Sequence, residues 1–223
     1  MISSMISVTS ARRTALVLDF GGVISRTLFE THAHSERALG LAPGTLNWRG
    51  PFDPANDALW RAMLADQISE RDYWRIRTRE VGALLGETWT EMHTFVQRAR
   101  GTDVAAVIRP EAIDAISHAK ARGCKVGILT NELDLFYGAA FRASVPCLRE
   151  VDALVDATYT GILKPDARAY QQIAAALGVP LGECVFVDDQ PRNVEGALQT
   201  GMQAVQLDVR YPSVAFATAL GML

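Results

Sequence analysis

The sequence is short of cysteine, of long apolar runs and of net charge, and each shortage narrows the field. Cys124, Cys147 and Cys184 are odd in number and unclustered, so no disulfide framework is legible. Two of them flank or lie in apolar runs that read as buried strands, which makes them small core fillers in a reducing cytoplasm. No apolar stretch is long enough to span a bilayer, so no membrane partner is expected. Lys and Arg total 22 against 25 Asp and Glu. There is no basic stripe and no interleaving of aromatic with basic residues, which sets nucleic acid aside as a partner. Repeats and low-complexity tracts are missing too. Met1 to Ser10 is Ser-rich and mildly apolar without a positive leader, and Arg12-Arg13 follow where a signal peptide needs small residues. Residues 1–13 are expected to form a frayed extension, with Met5 as an alternative start.

What is present is a chain of 223 residues, 49% apolar with mixed charges, as in a soluble globular protein with a sizeable core. That length suits one core domain plus an insertion, or one large α/β domain. Asp19 is its most informative residue. It ends the apolar run Ala15-Leu16-Val17-Leu18 and is followed by Phe20-Gly21-Gly22-Val23. A short run closed by glycines reads as a buried parallel strand opening into a loop. The carboxylate then stands at the carboxyl end of a strand, where open α/β sheets place their ligands. Gly21 and Gly22, without Cβ atoms, let backbone approach a bound group closely.

Later segments repeat the theme. Lys125 to Leu129 is a second apolar run, ending in Thr130-Asn131, and Cys184 to Val187 is another, ending in Asp188-Asp189. Between them lies Lys164-Pro165-Asp166, followed by a helical pattern through Tyr170, Ile173, Ala174 and Leu177, with Asp166 as its N-cap. Strands expected at 125–129, 153–157, 184–187 and 203–207 alternate with helices at 133–142, 166–177, 191–200 and 212–221. Arg109-Pro110 starts a further helix through Ile113, Ile116 and Ala119, and Gly123 stops it. Such alternation implies right-handed crossovers and a mostly parallel sheet. For about eighty residues after the first strand the pattern is instead helical. Trp48, Trp60, Trp74 and Trp89 fall there, and Ser69-Glu70-Arg71-Asp72 fits a capping box for a helix burying Tyr73, Ile76, Val81 and Leu84.

Taken in order, Leu18-Asp19-Phe20-Gly21-Gly22-Val23, Ile128-Leu129-Thr130-Asn131, Lys164-Pro165-Asp166 and Phe186-Val187-Asp188-Asp189 with Asn193 resemble the motifs of the haloacid dehalogenase-like hydrolase superfamily. The resemblance is to the branch with a helical cap after the first strand, and it covers nearly all of residues 14–210. It implies an α/β fold: a three-layer, Rossmann-like parallel sheet core (14–26 plus 106–223) carrying a small all-α cap (27–105). It also implies a phosphatase of small phosphorylated metabolites, working as a monomer or homodimer. Asp19 would be the nucleophile, forming an aspartyl-phosphate that water hydrolyses. Lys164 would neutralise nucleophile and phosphate, while Thr130, Asn131 and Gly22 would contact phosphoryl oxygens. Mg²⁺ would be held by Asp19, the Gly21 carbonyl, Asp189 and Asp188, since clustered carboxylates of like charge suit a hard divalent cation. Asn193 would orient the Asp188-Asp189 loop.

One position departs from that pattern. Phosphatases of the superfamily usually carry a second Asp two residues after the nucleophile, as acid for the leaving alcohol; here that residue is Gly21. General acid catalysis is typically worth about 10²–10⁴-fold. Either the leaving group is already acidic, as in a sugar 1-phosphate, or the cap lends the acid, with His32, His34 and Asp53 as candidates. Trp48, Arg49, Phe52, Trp60 and Arg61 are candidates for lining the mouth. A 2-haloacid dehalogenase is the alternative chemistry, although it leaves the paired acids at 188 and 189 without a purpose. A catalytically weak, phospho-ligand-binding homologue is the alternative of another class.

Overall fold

The structure is a computed structural model that describes residues 14–100 and 103–223. The extension expected over residues 1–13, with Met5, lies outside the described residues. Five strands, β1 (Ala15–Leu18), β2 (Lys125–Thr130), β3 (Ala153–Asp156), β4 (Cys184–Asp188) and β5 (Gln203–Gln206), form one sheet. Their order is β3-β2-β1-β4-β5, and every neighbouring pair is parallel. The α/β class and parallel core expected from the sequence are those observed.

β1 is buried along its whole length because helices cover both faces of the sheet, which is why its sequence is an unbroken apolar run. Alternate residues go to opposite sides. Leu16 and Leu18 join Ile116 and Phe216 under the helices Pro110–Ala121 and Pro212–Met222. Ala15 and Val17 join Tyr170, Ile173 and Leu177 under the helix Ala167–Leu177. Cys124, Cys147 and Cys184 are free and buried. No helix among the described residues is long and apolar enough to cross a membrane.

Between Ile24 and Ile108 the described residues form no strand. The chain leaves and re-enters the core through a single antiparallel bridge, Ser25 with Ile108. Arg26 N–H donates to the Val107 carbonyl (2.7 Å) and Arg109 N–H to that of Ile24 (2.9 Å) beside it. The helices His32–Leu39, Ala58–Leu64, Glu70–Leu84 and Met92–Arg100 lie in this segment and have their own apolar cluster, including Leu28, Phe29, Trp48, Tyr73, Val81 and Phe95. The capping box at Ser69 and Asp72 is present, with Ser69 accepting from the Asp72 N–H and Asp72 from that of Ser69.

Three expectations need correction. Leu84 is 53% exposed, and its place on the buried stripe goes to Arg77. That guanidinium is tolerated inside because it pairs with Asp57 (2.6 Å) and lies over the rings of Trp48 and Tyr73. Ile113, on the same helix as the buried Ile116 and Ala119, is 43% exposed. The helix after β2 runs from Leu133 to Ser144 and is broken at Gly138, whose φ of 76° no helical residue adopts.

Asp57 holds the insertion together. It is 2% exposed and accepts from Tyr73 Oη (2.9 Å), Arg77 Nη2 (2.6 Å) and the N–H groups of Trp60 (3.0 Å) and Gly50 (3.2 Å). Burial alone would raise its pKa, but these donors together hold it below the ordinary carboxylate value. Asp57→Ala takes from a buried guanidinium its buried counter-charge, leaving only the part-exposed Glu80 (2.7 Å), and breaking a buried pair costs about 3–5 kcal/mol. Urea unfolding of this variant is expected to show that loss, with the insertion melting first by tryptophan fluorescence.

Candidate active site

The sheet order reverses direction at β1, whose neighbours β2 and β4 come from later in the chain. Loops after these strands diverge there and leave a crevice at their carboxyl ends. Asp19 leaves β1 with its N–H still on the ladder, donating to the Val187 carbonyl at 2.9 Å. Asp188 is the last residue of β4, and Thr130 the last of β2. Register therefore brings three motifs to one point.

Lys164 joins them. Its ammonium, with the side chain 1% exposed, lies 2.8 Å from Asp19 Oδ1 and 2.6 Å from Asp188 Oδ2. Burial opposes this charge, but Asp188 and Asp19 together raise the lysine pKa above its ordinary value. Asn131 places the lysine: its Oδ1 accepts from the Lys164 N–H (2.7 Å) and its Nδ2 donates to the Lys164 carbonyl (3.3 Å). The Asn131 amide is thus engaged with backbone rather than aimed at a ligand. Asn193 Nδ2 donates to both oxygens of Asp188 at 3.1 Å, and Gln190 N–H to Oδ1 at 2.8 Å. Asp166 caps its helix by accepting from the Arg168 N–H.

Asp189 is the acid left without a partner. Among the described residues its carboxylate has no hydrogen bond and no ion pair, yet oxygens of Asp19, Asp188 and Asp189 all lie within 4.8 Å of one another. Burial first, then the charges of Asp188, Asp19 and Glu70, push its pKa well above the ordinary value. Asp19 is likewise pushed up to about 7, chiefly by burial, with Lys164 opposing. Hard oxygen donors crowded beyond what one lysine neutralises fit a divalent cation. Gly22 closes the wall of this cluster. At φ 72° it takes a conformation open to glycine, and a Cβ there would stand 2.5 Å from Asp189 Oδ2. Its carbonyl accepts from Arg109 Nε (3.2 Å) and Nη2 (3.1 Å), and the same guanidinium pairs with Glu30.

A cavity of about 260 Å³ opens over this point. Asp19, Gly21, Gly22, Thr130, Asn131, Lys164 and Asp189 line it, and Asp188, fully buried, sits behind. Of the residues considered for the mouth, Trp60 lines the cavity; Trp48, Arg49, Phe52 and Arg61 do not. Trp74, Phe136, Glu70, Arg71 and Arg192 line it instead. Glu70 and Arg71, from the capping-box turn, meet Arg192 (3.7 Å) and Glu132 of the core. Burial, partly opposed by Arg192, raises the Glu70 pKa.

The cap groups considered as acids are elsewhere. His34 Nε2 donates to the Arg100 carbonyl at 2.7 Å, and Asp53 accepts from Asn56. His32 is buried edge-on against Trp48, ring centroids 4.3 Å apart, and neither ring nitrogen has a partner among the described residues. Burial, with Arg49 second, lowers its pKa to about 4. The unfolded chain takes up this proton near pH 6.5 and the folded chain only near 4, so stability present above 6.5 is lost as pH falls. The loss approaches roughly 3 kcal/mol by pH 4. Comparing urea midpoints at pH 7 and 4.5, His32→Leu is expected to lose less stability than wild type over that interval.

The haloacid dehalogenase-like hydrolase family matches the chain over residues 14–201. The chain belongs to that family. Phosphatase MT3486 of Mycobacterium tuberculosis is 43% identical over 100 residues, 44% of this chain and 46% of that protein. The chain spans less than half the length of the curated relatives it matches. YfnB of Bacillus subtilis, solved bound to magnesium, superposes with a TM-score of 0.63 at 15% identity, covering 88% of this chain and 87% of that one. An L-2-haloacid dehalogenase from Xanthobacter autotrophicus gives 0.55 at 20% identity, covering 87% and 77%. At those identities the likeness is one of fold.

Proposed function

We propose that this hydrolase is a phosphatase of small phosphorylated metabolites, with residues 27–105 acting as a cap over the core formed by 14–26 and 106–223. The observation that carries the reading is the Lys164 ammonium set between Asp19 and Asp188, beside a third carboxylate that has no partner. A dehalogenase reaction, whose leaving halide is already a stable anion, gives that surplus of acid no task. Phosphoryl transfer does, because its catalysis is mostly positioning and neutralisation of charge.

Asp19 attacks phosphorus through a carboxylate oxygen while the bond from phosphorus to the leaving oxygen breaks, giving an aspartyl-phosphate and the released hydroxyl compound. Water then attacks the same phosphorus, the bond to Asp19 breaks, and inorganic phosphate departs with the carboxylate restored. Lys164 offsets charge on Asp19 and the phosphoryl oxygens throughout. Thr130 and Gly22, both lining the cavity, contact those oxygens, and Asn131 keeps Lys164 in place. Mg²⁺ would be held by Asp19, Asp189, the Gly21 carbonyl and Asp188, and when bound it supplies the remaining positive charge. Hydrolysis of 4-nitrophenyl phosphate is the test: turnover with Mg²⁺ and none with EDTA is expected. Chloride release from 2-chloropropionate without phosphate-ester turnover would establish the other chemistry.

A further inference from the structure

The cavity beside Asp19 has two unlike walls. Trp60 and Trp74 from the helical segment face it, as do Phe136 and Tyr137 from the helix after β2, and each of the four is part-exposed. Trp60, Trp74 and Tyr137 are held by other rings. Phe29 packs edge-on to Trp60 (5.2 Å between centroids) and 5.3 Å from Trp74, while Tyr137 stacks on Phe141 at 4.5 Å and meets Phe20 edge-on at 5.3 Å. Rings already fixed lose little freedom on meeting a flat ligand.

Much of the polar wall is already engaged with the protein. Arg71 Nε donates to Glu132 (3.0 Å), and Arg100 donates to Thr31 and to the Arg26 carbonyl. Arg26 donates to the Ala106 carbonyl (2.9 Å), and Asn131 and Asn193 hold Lys164 and Asp188, while Ser25 Oγ, Arg100 Nε and Asn193 Oδ1 are buried without a partner among the described residues. A sugar or polyol needs free hydrogen-bonding groups to replace its water, and hydroxyls left unmatched in a pocket are costly. A cavity of about 260 Å³ is also small, at the lower edge of ligand pockets, and takes one compact ring system.

Position 21 points the same way by separate chemistry. Gly21 lines the cavity and brings no side chain to protonate the leaving oxygen. An aliphatic alcohol then departs as an alkoxide, nearly as basic as hydroxide (~15.7 for water). A phenol departs as a phenolate, with a pKa of about 10.

Resting on the phosphatase reading, we infer that the site takes phosphate monoesters of aromatic hydroxyls: the ring lies among Trp60, Trp74, Phe136 and Tyr137, and the oxygen leaves as the phenolate without an enzyme acid. In the first step the Asp19–phosphorus bond forms and the phosphorus–aryl oxygen bond breaks. The electron pair stays on the aryl oxygen, which takes its proton from water.

The experiment compares kcat/KM in Mg²⁺ for a series of phenyl and naphthyl phosphates of graded phenol acidity, glucose 1-phosphate, glycerol 1-phosphate and acetyl phosphate. Acetyl phosphate needs neither ring nor proton, so it reports the phosphoryl chemistry alone. Aryl esters are expected to exceed the sugar and polyol esters by ~10²-fold or more, the size of a missing general acid, with rates rising steeply as the phenol becomes more acidic. Trp74→Leu and Trp60→Leu are each expected to lower the naphthyl-to-acetyl phosphate ratio about tenfold, the worth of a well-placed ring contact. Glucose 1-phosphate matching the aryl esters, or rates independent of phenol acidity, would overturn the inference and leave the phosphatase reading standing. Failure on every substrate, acetyl phosphate included, would remove the phosphatase reading itself.

Discussion

Asp19→Asn is expected to lower turnover of 4-nitrophenyl phosphate by at least ~10⁴-fold, as loss of a nucleophile does where no other group replaces it. An amide oxygen carries too little charge to attack phosphorus, and of the neighbouring acids Asp188 is engaged while Asp189 is assigned to the metal. Asp188 is held by Lys164, Asn193 and Gln190, and Asp189 stands beside Gly22. The fold should survive. The amide still accepts a hydrogen bond from Lys164, and the ammonium keeps Asp188 at 2.6 Å as its counter-charge. The variant also removes one negative charge from a crowd that burial already disfavours. Circular dichroism like that of wild type, with turnover lost, is the expected pair of results. Wild-type rates in the variant would take Asp19 out of the chemistry.

The sheet and the acidic cluster were legible in the sequence because both depend on short-range pattern. Continuous apolar runs marked β1, β2 and β4, and the parallel register that follows from covered faces brings their terminal residues together without further information. The wall of the cavity was not legible. Trp74 and Tyr73 are adjacent on one helix, yet Tyr73 is wholly buried while Trp74 faces the cavity, a difference set by how the helix rotates against Phe29 and Trp60. Arg109 reads locally as the residue before a helix. Its bonds to the Gly22 carbonyl and to Glu30 cross 87 and 79 positions and have no local signature. A still larger separation in sequence hid Glu70 from Arg192. Trp48 was misplaced at the mouth for the opposite reason: a bulky ring near the site is drawn into the core when a charge such as Arg77 needs its face.

Gly21→Asp is expected to raise kcat/KM for aliphatic esters such as glycerol 1-phosphate by about 10²–10⁴-fold, while changing aryl esters by less than about 3-fold. The backbone permits the change. Gly21 has φ −67° and ψ 128°, an ordinary extended conformation for any L-residue, and a Cβ built there meets no atom within 4 Å. The position lines the cavity, so a carboxyl on that Cβ reaches the space where a leaving oxygen stands. Asp19, Asp188 and Asp189 help rather than hinder, since nearby negative charge raises the pKa of a new carboxyl and keeps more of it protonated as a donor. Gly21→Asn is the control, equal in shape but without an acidic proton, and it should bring no gain. Equal rates for the two variants on aliphatic esters would mean that the leaving oxygen already receives a proton from elsewhere. Glu70, a carboxylic acid on the cavity wall, would then be the residue to replace next. A gain confined to Asp would instead show that the chemistry at Asp19 is complete, and that the acid missing at position 21 is what holds back the departure of aliphatic alcohols.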